Sequence, residues 1–415
     1  MRPRFFYGWL VVAVATFAMF TATLTGPAGF SVFIAPMSHD LGWSRSLLVS
    51  ALSAGTVVGA VLAPFAGRLI DLTGARVALA VSGLGIAVTL SIVAGATNEW
   101  VYLFAYGLAR TIDMGALNLA VTTAVANWFV RMRGRALGIA TAGNAFGVML
   151  LVPLIQWMID GPGWRMAWLT VGAGSGLVLA VLSITLLRRR PEDLNLLPDG
   201  ETLRDGVTAA GVVPAATFDW TARAAMRSPI FWLLALTSCA SQFAGTGLTT
   251  HQTALLVENG LSPMTVAGAI GLYGFIWTAS TMTWGFLVEK VPARIVFGIV
   301  SLGVAACCAG SLLVVEPWML LVYVAAYGII GGARDALDAT VWADYFGRQA
   351  VGAIRGLSRP LVIGSGALGG LVGGLGYDLS GNYAVTMLVL AAVSVCGTVV
   401  SLAALPSRDV ARAAA

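Results

Sequence analysis

Apolar residues in this chain run in long blocks, many of them roughly 20 residues or more, separated by short polar breaks. At ~1.5 Å of rise per residue, a helix of that length crosses a hydrocarbon core ~30 Å thick. The blocks fall at 8–37, 47–70, 76–97, 100–129, 135–158, 165–187, 229–257, 264–288, 293–315, 317–346, 352–378 and 383–405, which predicts about twelve membrane-spanning helices. A membrane barrel would show polar and apolar residues alternating in segments of about ten, whereas 8–14 and 388–395 do not alternate. The first block is longer than a signal-peptide core and no small-residue cleavage site follows it in a polar context, so it reads as a retained helix.

The polar breaks set the organisation. The longest, 188–228, contains RRRPEDLNLLPDGETLRDG and then a mildly amphipathic piece around 218–226. It reads as a cytoplasmic linker, either wholly disordered or carrying one short surface helix. It divides the chain into an N-terminal six-helix bundle (1–187), the linker (188–228) and a C-terminal six-helix bundle (229–415). With the amino terminus placed in the cytoplasm, Arg68, Arg76, Arg131, Arg133, Arg135, Arg188, Arg190, Lys290, Arg294 and Arg348 all fall inside, while Arg45 and Arg165 fall outside. This positive-inside bias predicts an even number of spans, both termini cytoplasmic, in a cell inner (plasma) membrane.

Composition agrees with a lipid-embedded chain. Of 415 residues, 58% are hydrophobic and 10% charged, against about 45–50% and about 25% in soluble domains. The formal charge of +5 is explained by basic cytoplasmic loops, so no nucleic-acid partner is expected. Cys239, Cys307, Cys308 and Cys396 lie in apolar blocks without CxxC spacing, which supports neither a disulfide framework nor a metal site. There is no His/Glu cluster of the zinc type, no nucleophile elbow and only 2 His, so an enzyme is not expected and neither is a cofactor.

Two sets of motifs carry more. The halves repeat one another: TyrGly at 106–107 leads to AsnTrpPhe at 127–129 and RGRALG at 133–138, and TyrGly at 327–328 leads to AspTyrPhe at 344–346 and GAIRG at 352–356. Such a repeat implies pseudo-symmetric bundles with a site near mid-membrane. After the second block comes GRLIDLTGAR (67–76), a GxxxDxxGxR loop in which Gly74 permits a tight turn while Asp71 and Arg76 supply opposed charges.

That loop, in that place, resembles the major facilitator superfamily. Within it, FYGWLVV (6–12), LGWSR (41–45) and above all NWFVRMRGRALGIATAGNAFG (127–147) are similar to the monocarboxylate porter and oxalate/formate antiporter branch. The resemblance implies an all-α membrane protein of two six-helix bundles, working by alternating access, with Gly67, Asp71, Gly74 and Arg76 as a gating loop. It covers the first half well and the second poorly. The second-half loop GFLVEKVPAR (285–294) has Pro292 where the turn glycine would stand. The charged residue that the branch's best-known carriers place in helix eight is missing from 264–288, so their substrate chemistry does not transfer. Arg359 is a candidate for the basic residue that oxalate-type members carry in helix eleven.

Six charges sit within apolar blocks: Arg110, Asp113, Arg334, Asp335, Asp338 and Arg359. A charge at the bilayer centre costs at least ~2.5–3.5 kcal/mol on insertion scales, so these residues are expected to face a bundle interior or a cavity. Arg110 with Asp113 and Arg334 with Asp338 are spaced to pair on one helix face, leaving Asp335 and Arg359 to find partners elsewhere. Arg110, Arg334, Arg359, Tyr106, Tyr273, Trp277 and Asn144 are the candidate substrate-binding residues, and Asp335, Asp338 and Asp113 the candidate proton carriers. Arginine keeps its proton, whereas an aspartate losing its own would change the charge available to an anion. His251 is either a protonation or gating group or a hydrogen-bonded interfacial residue. Together these predict a monomeric carrier of a small organic anion, a monocarboxylate, with proton symport. Anion exchange, efflux of amphipathic compounds and a transport-inactive sensor are the alternatives.

Overall fold

The computed structural model describes residues 6–129, 132–188, 191–194, 222–288, 291, 293–346 and 351–403. Among them the first half comprises α1 (Gly8–Ala22), α2 (Pro27–Leu41), α3 (Arg45–Thr73), α4 (Ala75–Ala94), α5 (Glu99–Ile112), α6 (Asn118–Trp128), α7 (Arg133–Asp160), α8 (Trp164–Ala167) and α9 (Gly174–Leu186). A short α10 (Ala222–Arg227) precedes α11 (Pro229–Glu258), α12 (Pro263–Val288), α13 (Ala293–Ser311), α14 (Pro317–Phe346), α15 (Val351–Ser380) and α16 (Ala384–Ala403). The chain divides into two compact units, Met1–Trp43 with Ser50–Gly211, and Ser44–Val49 with Val212–Ala415.

The fold is all-α, and each expected span is helical. By length and composition alone seven stretches among the described residues qualify to cross a membrane: Gly8–Leu41, Arg45–Ile70, Ala75–Ala94, Arg135–Asp160, Trp164–Leu186, Leu357–Ser380 and Ala384–Leu402. Charged residues interrupt the apolar run of two others, 100–129 and 317–346. Large side chains left exposed, such as Phe65 and Phe104 at 72% each and Val81 at 64%, are what a lipid-facing surface requires.

Three spans that read as single blocks are broken. The first passes from α1 through a 3-10 turn at Thr23–Thr25 to an extended Gly26 and restarts at Pro27, whose ring suits the first position of a helix. The fourth carries a π-helical turn at Asp113–Leu117 between α5 and α6, and the sixth another at Trp168–Ala173 between α8 and α9. Each break offsets backbone groups from the regular ladder, and π turns of this kind gather at functional positions.

Helix pairing repeats between the units. In the first, α1 packs on α7 and α4 on α9, while α3 meets α5 where Gly55 lies against Gly107 and Arg110. In the second, α11 packs on α15, α13 on α16 and α12 on α14. Aromatic residues fill each core: Phe30, Phe33, Tyr102, Tyr106 and Trp168 in one, Phe231, Trp342 and Phe346 in the other.

The crossing of α4 and α9 has no spare volume. A methyl group built on Gly83 would stand 2.7 Å from the Gly176 carbonyl, and one on Gly176 would stand 2.7 Å from the Gly83 carbonyl. Small residues are how membrane helices approach closely enough to gain packing energy. Gly83→Val should therefore lower the unfolding temperature in detergent, at a cost of about 1–3 kcal/mol for overpacking. Gly138→Ala, on a helical position with open space around it, should leave that temperature unchanged.

Candidate functional site

In the first unit, Asp113 is 1% exposed and is surrounded by donors. Its Oδ2 accepts from Arg110 Nη1 at 2.6 Å and from the Thr25 hydroxyl at 2.8 Å, and its Oδ1 from Asn118 Nδ2 at 3.0 Å. Arg110 in turn donates from Nε to the Thr56 hydroxyl at 2.9 Å. The broken first span supplies Thr25, and the π turn places Asp113 and Asn118 on one side of the fourth. A buried ion pair repays its desolvation only with this kind of saturation. The sequence expectation that Arg110 and Asp113 pair is met, and both groups are engaged within the protein.

The second unit builds a related arrangement with a different outcome. Tyr106 donates to the Thr25 carbonyl at 3.2 Å, and Tyr327 donates to the Gly245 carbonyl at 2.8 Å. One turn earlier, Tyr102 stacks with Tyr106 at 5.8 Å and Tyr323 with Tyr327 at 6.1 Å. Beyond this shared framework the charges diverge. Arg334, with its side chain 18% exposed, reaches Asp335 only through Nε at 3.9 Å, and Asp335 is 49% exposed. Neighbouring helix positions do not face each other, which makes this pair loose.

Asp335 turns instead to α12, where Trp277 Nε1 donates to its Oδ2 at 2.7 Å. The Arg334 guanidinium lies over the Trp277 ring, 5.0 Å from its centroid. Tyr273 meets Trp277 edge-on at 5.2 Å and stacks on Tyr327 at 5.0 Å. Two glycines make room: the Trp277 ring would be 2.6 Å from a methyl on Gly331, and Arg334 Nη1 lies against Gly245. The structure thus brings Arg334, Asp335, Trp277, Tyr273 and Tyr327 together. Asp335, expected to find its partner outside the i+3 and i+4 spacings of its own helix, takes Trp277, 58 positions away, as hydrogen-bond donor, with Arg334 beside it.

The remaining candidates are dispersed. Tyr106 is fully buried among Phe30, Tyr102 and Trp168, a core residue rather than a cavity wall. Asn144 has an exposed side chain, and its backbone carbonyl accepts from the Thr23 hydroxyl at 3.1 Å. Arg359 is exposed beside Pro360 within α15, and no described contact joins it to Arg334. The side chain of Asp338, expected from its spacing to pair with Arg334, lies outside the described residues.

In the loop after α3, Gly74 has φ 88°, a conformation glycine adopts without strain, and joins α3 directly to α4. Arg76 Nη2 donates to the Ile184 carbonyl at 2.6 Å near the end of α9, where helix carbonyls lack partners of their own. Gly67 has an open surrounding, its nearest neighbour being Leu119. The Asp71 side chain and much of 285–294 lie outside the described residues.

One polar cluster of the second unit was not expected from the sequence. Arg45 Nη2 pairs with Glu258 at 2.6 Å and Nη1 donates to the Tyr383 hydroxyl at 2.5 Å, while its guanidinium covers the Tyr377 ring at 3.7 Å. The backbone amides of Arg45 and Ser46 donate to the two oxygens of Asp378 at 3.1 and 3.0 Å. That carboxylate caps the α3 start, where free amides favour an anion. Because Arg45 only donates, the Tyr383 hydroxyl is left to donate to His251 Nδ1 at 3.3 Å, and His251 Nε2 donates to the Gly370 carbonyl at 2.9 Å. Of the two roles open to it, His251, fully buried, takes that of the hydrogen-bonded residue. Sequence signals existed only in the LGWSR motif and in the lone buried histidine.

A family model described as Major Facilitator Superfamily matches residues 8–359. Monocarboxylate transporter 14 of Mus musculus is 27% identical over 197 residues, 47% of this chain and 38% of that protein. The chain thus spans well under half the length of that relative. The oxalate:formate antiporter of Oxalobacter formigenes is 23% identical over 301 residues, 71% of this chain and 67% of that protein. Among solved structures, nucleoside transporter NupG superposes with a TM-score of 0.73 at 15% identity, covering 95% of this chain and 100% of the other. A bacterial homolog to the human lysosomal transporter Spinster gives 0.72 at 16%, covering 96% of each.

The Arg110–Asp113 pair makes a direct prediction. Asp113→Ala strands the arginine in an apolar setting and should destabilise the protein by about 3–5 kcal/mol. The double variant Arg110→Leu with Asp113→Leu should recover much of the loss. Thermal unfolding and the monodisperse fraction in detergent check both.

Proposed function

The chain belongs to the Major Facilitator Superfamily, which makes it a multi-pass membrane transporter rather than an enzyme, and we propose that it carries a small organic anion, a monocarboxylate, by proton symport. The observation that carries this reading is the contrast between the two buried arginines. Arg110 is held at 2.6 and 2.9 Å by Asp113 and Thr56, whereas the described ion pair of Arg334 spans 3.9 Å. A carboxylate offered to Arg334 competes against a weak internal partner and gains charge-assisted hydrogen bonds, bidentate where both nitrogens are reached.

Proton coupling follows from the same geometry. With Asp335 ionised, Arg334 is neutralised in part from beside it; with Asp335 protonated, the arginine presents its full charge to an anion. Substrate and proton then favour each other's binding through one electrostatic coupling. Asp338, on the same helix, is a second candidate for this role, and Asp113, saturated by three donors, is the weakest. The helices exchange access to the site by alternating between the two sides of a plasma membrane, with cytoplasmic termini and the 67–76 loop as a gate. A monomer suffices, because the whole Arg334 cluster lies in one unit.

Carboxylate exchange is the second reading, favoured by the similarity to an oxalate:formate antiporter over 71% of the chain. Purified protein in liposomes separates the two. Symport predicts monocarboxylate uptake that rises when the lumen is made alkaline. Exchange predicts counterflow indifferent to that gradient. Arg334→Gln should reduce uptake at least about tenfold, the loss of one charge-assisted contact of ~1.5 kcal/mol or more. Asp335→Asn should retain binding and lose the response to pH; unchanged pH-driven uptake in both Asp335→Asn and Asp338→Asn would remove proton coupling from this site.

A further inference from the structure

We infer that the anion taken at Arg334 is an aromatic monocarboxylate, its carboxylate on the guanidinium and its flat body against the Trp277 wall. This rests on the proposed anion transport and names the substrate class within it. Three features of the cluster carry it.

The first is the wall itself. Trp277 and Tyr273 stand one helical turn apart on α12, and Tyr327 closes the set from α14. Their mutual geometry is edge-to-face for Tyr273 with Trp277, at 86°, and parallel for Tyr273 with Tyr327, at 14°. Trp277 keeps part of its surface uncovered, whereas Tyr273 and Tyr327 are 3% and 1% exposed. The ring system is therefore preassembled, with the indole as the member still open to a ligand. Preformed, apolar walls with few polar groups are the usual construction of small-molecule sites. Gly331 fixes this arrangement, because any side chain there would displace the indole.

The second is charge. The Trp277 indole N–H is already committed to Asp335 at 2.7 Å, which places a carboxylate at the edge of the wall. A substrate with one carboxylate meets Arg334 alone. A second carboxylate on a short linker would approach Asp335, which repels it while ionised and offers it no cationic partner once protonated. Dicarboxylates are disfavoured on this ground, which departs from what the name of the oxalate:formate relative would suggest for this chain.

The third is a weakly engaged hydroxyl. Tyr273 Oη is buried with the Thr249 hydroxyl as a weak neighbour and makes no regular hydrogen bond among the described residues, while Thr249 and Tyr327 bond to each other at 2.7 Å and to the Gly245 carbonyl. Buried hydroxyls are usually satisfied. A polar ring substituent on a ligand at Trp277 is the chemistry that would engage it.

The test is isothermal titration of the purified full chain in detergent at pH 7 with benzoate, 4-hydroxybenzoate, cyclohexanecarboxylate, benzyl alcohol and oxalate. Benzoate should bind about tenfold more tightly than cyclohexanecarboxylate, which matches it in size and charge but is not flat. 4-Hydroxybenzoate should bind at least as tightly as benzoate, and oxalate and benzyl alcohol should bind weakly or not at all. Trp277→Phe should keep the preference for benzoate and Trp277→Leu should erase it. Equal affinities for benzoate and cyclohexanecarboxylate in the wild-type chain would overturn the aromatic assignment while leaving anion binding intact. Benzoate affinity unchanged in Arg334→Gln, or oxalate binding above benzoate, would overturn it as well, the former removing the anion site with it.

Discussion

A charge placed among apolar helices must find its counter-charge or its hydrogen bonds within a few ångströms, and much of the architecture around Asp113 answers that demand. Three residues from three stretches of chain converge on the Arg110–Asp113 ion pair: Thr25, Asn118 and, behind the arginine, Thr56. Two departures from regular helix make the convergence geometrically feasible. The 3-10 turn at Thr23–Thr25 offers a hydroxyl and a free carbonyl, the latter taken by Tyr106. The π turn beginning at Asp113 sets Asn118 within reach of the same carboxylate. Helical irregularity is costly in lipid unless such partners absorb the released backbone groups, and here they do.

The second unit starts from the same plan. Stacked tyrosines four residues apart, the lower one donating to a carbonyl of the facing helix, recur as Tyr102 and Tyr106, then Tyr323 and Tyr327. Past the tyrosines the two helices differ by a shift of the charges along the chain. Asp113 stands seven positions past its tyrosine and Arg334 seven past Tyr327, so acid and base exchange places on a common scaffold. In the first unit the arginine one turn before the acid closes the pair. In the second that position is Gly331, which yields its volume to Trp277. One scaffold is locked by an internal ion pair and the other is lined by rings.

Most of this fold was legible because hydrophobic length is a strong signal, and the twelve blocks of the sequence correspond to the helical spans. The breaks within them were not legible, since Thr23–Thr25 and Trp168–Ala173 lie inside longer apolar blocks and only Gly26 followed by Pro27 hinted at one. The Arg110–Asp113 pair could be read from its spacing of three. Contacts between distant segments could not: Trp277 to Asp335 spans 58 positions, and Arg45 reaches Glu258, Asp378 and Tyr383 across 213 or more. Spacing along a helix predicts which side chains share a face, and says nothing of what another helix brings to that face. For the same reason Tyr106 and Tyr327 share a motif but not their surroundings, one edge-on to Trp168 and the other edge-on to Trp277.

A carrier must release what it binds, and this requirement separates the two arginines more sharply than burial does. An arginine already satisfied at 2.6 Å gains little from a visiting carboxylate, and stripping it of its partner would leave Asp113 charged and buried. Arg334 faces the opposite circumstance. Its nearest acid among the described residues is adjacent in sequence, turned toward an indole and half exposed, so that under the proposed anion binding the arginine would change partners without orphaning a described buried group. Reversible occupancy needs a binding step with low reorganisation and no stranded charge on departure. For the anion site proposed at Arg334, the partnership of Trp277 with Asp335 would supply that condition, because it holds the acid independently of the guanidinium.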